Sequence, residues 1–314
     1  MASEIAEKQR RVNEFLDAGG YDALLLARTD NFAWFTGGDS HVNLAQEAGV
    51  GALLLHRDRK TLITNNVERG RLLEEELAGQ GFADDASLWI EDALPPAVAR
   101  LAPGDKIAAD VSLPGVLERA DQIARLRCAL TAGEVARYRA LGRDVGAAIG
   151  EACMQVEPGM AEHQVAAALA AAHYQRGIAP IVVLIAADDR LAKYRHPIPT
   201  DNRVKRVVML VVCGRRTGLI VSATRIVRFG PLPADLRRKH DAVVAVDAAF
   251  IANTRPGARI GDIFKAGLDP GSLGVPLRLG PGSYPIVNPY REGFQRPGSE
   301  TNPIEERNVE LAVD

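Results

Sequence analysis

Cysteine is scarce in this chain and widely scattered: Cys128, Cys153 and Cys213 are the three in 314 residues. An odd, dispersed set suits reduced thiols in a cytosol better than a disulfide framework, so the expected location is cytoplasmic. No CxxC pair occurs, which argues against a thiolate zinc site. Aromatics make up only 5% of the residues, too few for a base-stacking surface. Neither sign of charge prevails. A formal net charge of -2 gives no electrostatic reason to expect nucleic acid or an anionic membrane. Aliphatic runs such as 207–213 fall far short of the ~20 residues that span a bilayer. The first residues, Met1-Ala2-Ser3-Glu4-Ile5-Ala6-Glu7-Lys8, are charged and lack an apolar core, so no secretion leader is expected. No glycine-rich phosphate loop follows a strand-like run in the first half, so a nucleotide-binding reading lacks its main feature.

What remains is ordinary globular composition, 47% hydrophobic and 25% charged, in a chain long enough for two domains. The pattern divides at about residue 125. In the first part, residues 4–18 predict a helix, with Ile5, Val12, Phe15 and Leu16 near one face and Gly19-Gly20 stopping it. Short apolar runs at 21–26, 51–56, 60–64 and 106–110 predict strands, and 67–77 predicts a helix. Strands alternating with helices indicate an α/β layer with a parallel or mixed sheet. Trp34 and Phe35, beside Gly37-Gly38, read most simply as core, and otherwise as an aromatic lip over a site. His41 and His56 could be ligands, although a lone histidine is more often a surface or core residue.

In the second part, Thr131 and Glu134 have capping-box spacing, and Val135, Tyr138, Leu141, Val145 and Ile149 then recur at helical spacing. Pro158-Gly159 breaks the chain before a second helix from Met160 to about Arg176. His163 and His173 lie ten apart on that helix, a spacing that does not join two ligands, and both read as solvated. Residues 181–185 predict a strand. A proline-braced loop carries Arg195 and His196, and two runs, 207–213 and 219–229, predict a hairpin about a turn at 215–218. Residues 234–253 predict one long helix. The proline- and glycine-rich stretch 270–303 predicts irregular loop, and 309–313 a final strand.

These segments carry a resemblance. Asn31-Phe32-Ala33-Trp34-Phe35-Thr36-Gly37-Gly38 and Leu62-Ile63-Thr64-Asn65-Asn66-Val67-Glu68 resemble the creatinase-type N-terminal domain. Glu157-Pro158-Gly159-Met160-Ala161-Glu162, Arg195-His196-Pro197, Thr224-Arg225 and the run from Pro303 to Asp314 resemble the catalytic half of the creatinase, aminopeptidase P and methionine aminopeptidase superfamily. The resemblance implies the pita-bread fold: a creatinase-type α/β domain over 1–125, then a pita-bread domain over 126–314 with a shortened second half.

Metallopeptidases of this family hold two divalent metals with two Asp, one His and two Glu. Carried over singly, the first Asp position holds Val211 and the second holds Ser222. The histidine position falls nearest Leu279, the first Glu on Glu292 and the last near Asp314. Valine offers no donor and serine is a poor replacement for a carboxylate, whereas two divalent ions need several anionic oxygens. The expectation is no bound metal and no cofactor. His196 matches the loop histidine that serves metal-free creatinase as acid/base, and its ordinary pKa of ~6.5 suits that task. Glu292 is a candidate either to orient His196 or to act as a second acid/base. Arg195, Arg291, Tyr284, Tyr290 and Ser222 are candidate substrate contacts, the arginines for a carboxylate.

The resemblance thus implies a metal-independent, creatinase-like enzyme acting on a small polar substrate, by default at a C–N bond. A lyase or cyclisation step in specialised metabolism is a variant of that reading. The alternatives are an inactive homologue that binds a ligand or partner, and a divergent Xaa-Pro-type metallopeptidase. A homodimer is also implied, because family N-terminal domains often contact a partner's site.

Overall fold

The computed structural model describes residues 2–92 and 94–268, and these fall into two units, Met1–Glu134 and Val135–Asp314. Among the described residues no helix is long and apolar enough to cross a membrane.

The first unit begins with α1 (Ala2–Gly19), whose Val12 and Leu16 are wholly buried; the chain leaves it through Gly20 at φ 59. The continuously apolar β1 (Ala23–Arg28) is the inner strand that such a run predicts. The aromatic segment forms α2 (Thr29–Thr36), closed by Gly37 in the left-handed region at φ 73. β2 (Ala48–Leu55) and β3 (Lys60–Asn65) pair antiparallel. A helical turn, α3 (Arg69–Arg71), runs into a π-helical turn over Leu72–Glu76. Then come β4 (Ala83–Ser87), α4 (Leu94–Leu101), β5 (Ile107–Ala109), β6 (Leu117–Glu118) and α5 (Ala120–Leu126). The sheet is mixed, in the order β4-β3-β2-β1-β5-β6.

Strand alternation sorts this core into two layers. Leu24, Leu26, Leu53 and Leu55 pack with α1 and the α2 aromatics, and Trp34 and Phe35 are buried there as core. Ala23, Leu25, Leu54 and Ile63 pack on the other face with Ala97 and Val98 of α4. A buried polar knot closes the unit. Lys8, 1% exposed, lies 2.7 Å from Glu4 and 3.0 Å from Glu134, and also donates to the Trp34 carbonyl. Glu134 completes the expected capping box: the Thr131 amide donates to its Oε2 at 2.8 Å, and its own amide donates to Thr131 Oγ1 at 3.2 Å.

The second unit contains most of α6 (Ala132–Met154), then α7 (Glu162–Tyr174), β7 (Ala179–Ala187) and the short α8 (Arg190–Lys193). β8 (Val207–Arg216), β9 (Leu219–Arg228), α9 (Ala234–Asn253) and α10 (Ile260–Leu268) follow. The sheet is antiparallel, in the order β7-β8-β9. The β8–β9 hairpin is tighter than the expected four-residue turn: Arg216 pairs with Leu219, leaving only Thr217 and Gly218, at φ 51 and φ 75. Two consecutive left-handed residues make the turn that follows strand twist. Leu141, Val145 and Ile149 of α6 and Val165 and Leu169 of α7 pack on Ile185, Val208, Leu210 and Val212. Gly214 lets them close, since a Cβ there would stand 2.8 Å from both Val145 and Ile178. α9 and α10 share a small core of Val246, Phe250 and Ile263.

Of the two histidines expected to be solvated, only His163 is exposed. His173 is wholly buried. It follows Leu169 by four residues and Val165 by eight, which puts it on the inward stripe of α7.

Candidate functional site

The strand ladder of the second unit divides its side chains between two faces. One carries Val208, Leu210 and Val212 towards α6 and α7. The other carries Met209, Val211 and Cys213 from β8. Their partners are Leu184 and Ala186 from β7 and Ser222, Thr224 and Ile226 from β9, all placed there by register. Val211 pairs with Thr224 and Cys213 with Ser222, so Val211 and Ser222 are diagonal neighbours on this second face. Two carboxylates at those positions would converge. Instead, Val211 is a half-buried hydrocarbon, and the exposed Ser222 has its Oγ 3.2 Å from the Cys213 Sγ. The donor chemistry of this face does not fit a pair of divalent ions. Among the described residues no group of three or more His, Cys, Asp or Glu is placed to hold a metal ion.

His196 lies on the segment between α8 and β8, exposed, with the buried Pro197 next to it. The segment is braced against β7: the Ile185 amide donates to the Pro197 carbonyl at 3.1 Å. Arg190 donates to the Ile198 carbonyl at 2.9 Å, and its guanidinium lies 5.5 Å from the Tyr194 ring centroid. Arg195 is exposed on the same segment. Glu292, Arg291, Tyr284 and Tyr290 lie outside the described residues, as do Leu279, Asp314 and the loop and strand expected beyond 270.

Two carboxylates that sequence reasoning did not place in the site hold this segment. Glu162, with no exposed side-chain surface, accepts from Ala187, Arg190, Thr200 and Asn202. Asp188, at φ 51, accepts the amides of Lys205, Arg206 and Val207 at 2.9, 2.9 and 3.2 Å. The one signal available was position: Glu162 opens a helix just after Pro158-Gly159, where an acid complements the helix dipole and is ordinarily solvated.

The histidines of the first unit each face one carboxylate. His41 Nδ1 meets Asp39, and His56 Nε2 is 3.0 Å from Asp105. Neither is part of a ligand cluster among the described residues.

Residues 136–270 match the metallopeptidase family M24, and residues 8–140 match the creatinase/prolidase N-terminal domain. The class is therefore M24 peptidase-like. The chain belongs to the creatinase/aminopeptidase P superfamily of pita-bread proteins, with a creatinase-like N-terminal domain ahead of an M24 domain. No curated protein matched the sequence. Among solved structures, the fold is similar to the prolidase from Pyrococcus horikoshii OT3. The TM-score is 0.68 at 18% identity, over 83% of this chain and 76% of that one. It is similar to the dipeptidase PepE from Mycobacterium ulcerans (TM-score 0.67, 20% identity, 85% and 76% covered). It is also similar to the N-terminal domain of the FACT complex subunit SPT16 from Cicer arietinum, chickpea (0.60, 10%, 85% and 76%).

Proposed function

We propose that this chain is a metal-independent, creatinase-like enzyme. It acts on a small polar substrate bearing a carboxylate or amide, with His196 as the acid/base. The observation that carries the reading is the second face of the β7-β8-β9 sheet, where Val211 and Ser222 stand in place of converging carboxylates. A reaction on this frame draws its proton transfers from side chains. His196 supplies the right chemistry among the described residues: an imidazole exposed on a braced segment. In the default reaction His196 moves a proton between attacking water and the departing nitrogen of a C–N bond, and Arg195 faces the substrate carboxylate. Glu292, Arg291, Tyr284 and Tyr290 complete the proposed set.

A second reading, a ligand- or partner-binding homologue without turnover, draws on the same loss of donors. That this fold also occurs in a domain of a complex subunit favours keeping it.

Four measurements decide. Metal analysis of the purified protein is expected to find no stoichiometric divalent ion. Hydrolysis, screened on Xaa-Pro dipeptides and on N-acyl and N-amidino amino acids, is expected to survive chelator. Stoichiometric metal with chelator-sensitive turnover overturns the reading. His196→Ala is expected to lower kcat by ~10²–10⁴-fold, the usual contribution of such a group. Thermal stabilisation by a compound that is never consumed is the signature of the binding protein.

A further inference from the structure

We infer that Glu162 is the positioning residue for His196, an inference that rests on the acid/base role proposed above. Its carboxylate accepts five hydrogen bonds. Oε1 takes the Ala187 amide at 2.8 Å and Asn202 Nδ2 at 3.2 Å. Oε2 takes the Thr200 amide at 3.0 Å, Thr200 Oγ1 at 2.8 Å and the Arg190 guanidinium. A carboxylate has about four acceptor directions, so its capacity is filled.

The sources of those donors carry the inference. Ala187 and Arg190 precede His196; Thr200 and Asn202 follow it. One carboxylate on α7 therefore ties together both ends of the segment that presents the imidazole. The opening of α7 reinforces the tie, since the amides of Glu162 and His163 donate to the carbonyls of Asn202 and Thr200 at 3.0 and 3.3 Å. Arg190 carries it towards the tip: one end of its guanidinium is on Glu162, and the other donates to the Ile198 carbonyl at 2.9 Å. None of the five donors belongs to α7 itself.

Packing alone does not account for the residue. A carboxylate with no exposed surface is costly to desolvate, and an apolar side chain at this place on α7 would fill the space without that cost. What the carboxylate adds is convergence of donors from two stretches of chain on one point. An exposed histidine on an untied segment samples many positions. One whose stems share a fixed anchor is held within the narrow range that proton transfer requires.

The segment contains its own reporters. Arg190, Lys193 and Arg195 are trypsin sites, and His196 is one of six histidines. Native trypsin digestion mapped by mass spectrometry is compared between the full-length protein and its Glu162→Gln variant. The His196 imidazole resonance is followed in ¹³C-histidine-labelled protein and assigned with His196→Ala. In Glu162→Gln, cleavage at Lys193 and Arg195 is expected to rise about tenfold or more. The His196 resonance should shift or broaden, while that of the buried His173 stays in place. If Glu162→Gln retains cleavage within about twofold and an unmoved His196 resonance, the inference is overturned. Should that variant fail to fold, Thr200→Val removes one side-chain donor from the same anchor and is judged by the same criteria. The acid/base reading fails separately: turnover that survives His196→Ala sinks that reading, while digestion and resonance still decide whether Glu162 positions the segment.

Discussion

The Sγ of Cys213 lies 3.2 Å from the Oγ of Ser222, across the β8–β9 ladder and one pair along from Val211 and Thr224. A thiol and a hydroxyl make a weak bond, and Ser222 is solvent-exposed, so the pair marks a face without demanding polar groups. Ser222→Asp should therefore be tolerated within ~0.5 kcal/mol, the range of ordinary surface changes. Val211→Asp should cost ~1–3 kcal/mol, because it sets a carboxylate at a half-buried position directly opposite Leu184. Urea unfolding of both variants tests the contrast. Equal stability for the two would mean that the face is not the apolar surface described.

Lys8 is the counter-charge of a closed pocket. Its truncation in Lys8→Ala strands Glu134 and Glu4 without their cation. Removing one partner of a buried pair costs ~3–5 kcal/mol, and Lys8→Met should cost about as much, since it too removes the cation from both acids. Tryptophan fluorescence during denaturation follows the unfolding of this unit, because Trp34 is buried in its core while Trp89 is exposed.

His173 makes the second unit acid-sensitive. Burial pushes its imidazole below the ordinary value, and the nearby Arg176 charge adds to this, against the contact of Nδ1 with the Leu169 carbonyl. Its Nε2 is buried without a hydrogen-bond partner. The folded state therefore holds the neutral ring, while the unfolded chain takes up a proton near pH ~6.5. Stability is fully present above that pH and falls as the pH drops below it. Unfolding free energies at pH 7.5 and 5.5 should differ more in the wild type than in His173→Leu. Asp110 of the first unit acts in the opposite sense. Burial raises its carboxyl, so its penalty disappears in acid. It is unchanged in both proteins and cancels from the comparison.

Thr217 holds the left-handed conformation at φ 51 in the hairpin turn, a costly place for a β-branched residue. Thr217→Asn should stabilise the protein by ~0.5–1 kcal/mol, since asparagine accepts that conformation and suits this turn type. Gly218→Ala, at φ 75, should destabilise by at least ~1 kcal/mol. Melting temperatures moving in opposite directions are the expected result.

Much of this was legible in the chain. The bounds of α9 coincide with the predicted helix, and the Thr131–Glu134 box closes as its spacing implies, because both depend on neighbours in sequence. β4 escaped detection for the opposite reason. Ala-Asp-Asp-Ala-Ser has little strand propensity, and it holds the sheet edge with Asp84 on Arg69 and Asp85 on Arg100, each fifteen residues away. Glu162 was hidden in the same way. An acid at a helix start looks solvated until donors up to forty residues on are folded over it. His173 was readable and misassigned: its spacing from Val165 and Leu169 already placed it inward.

The hairpin ladder has a consequence for how this protein can change. Its register is held by the valines and leucines that face α6 and α7, while the alternate residues, Met209, Val211 and Cys213, point to the reverse side. The two sets share a backbone but not a task. The reverse side can be rewritten one position at a time without asking the helices to repack. In such an architecture the reverse side is the more replaceable part and the packed side the more durable one.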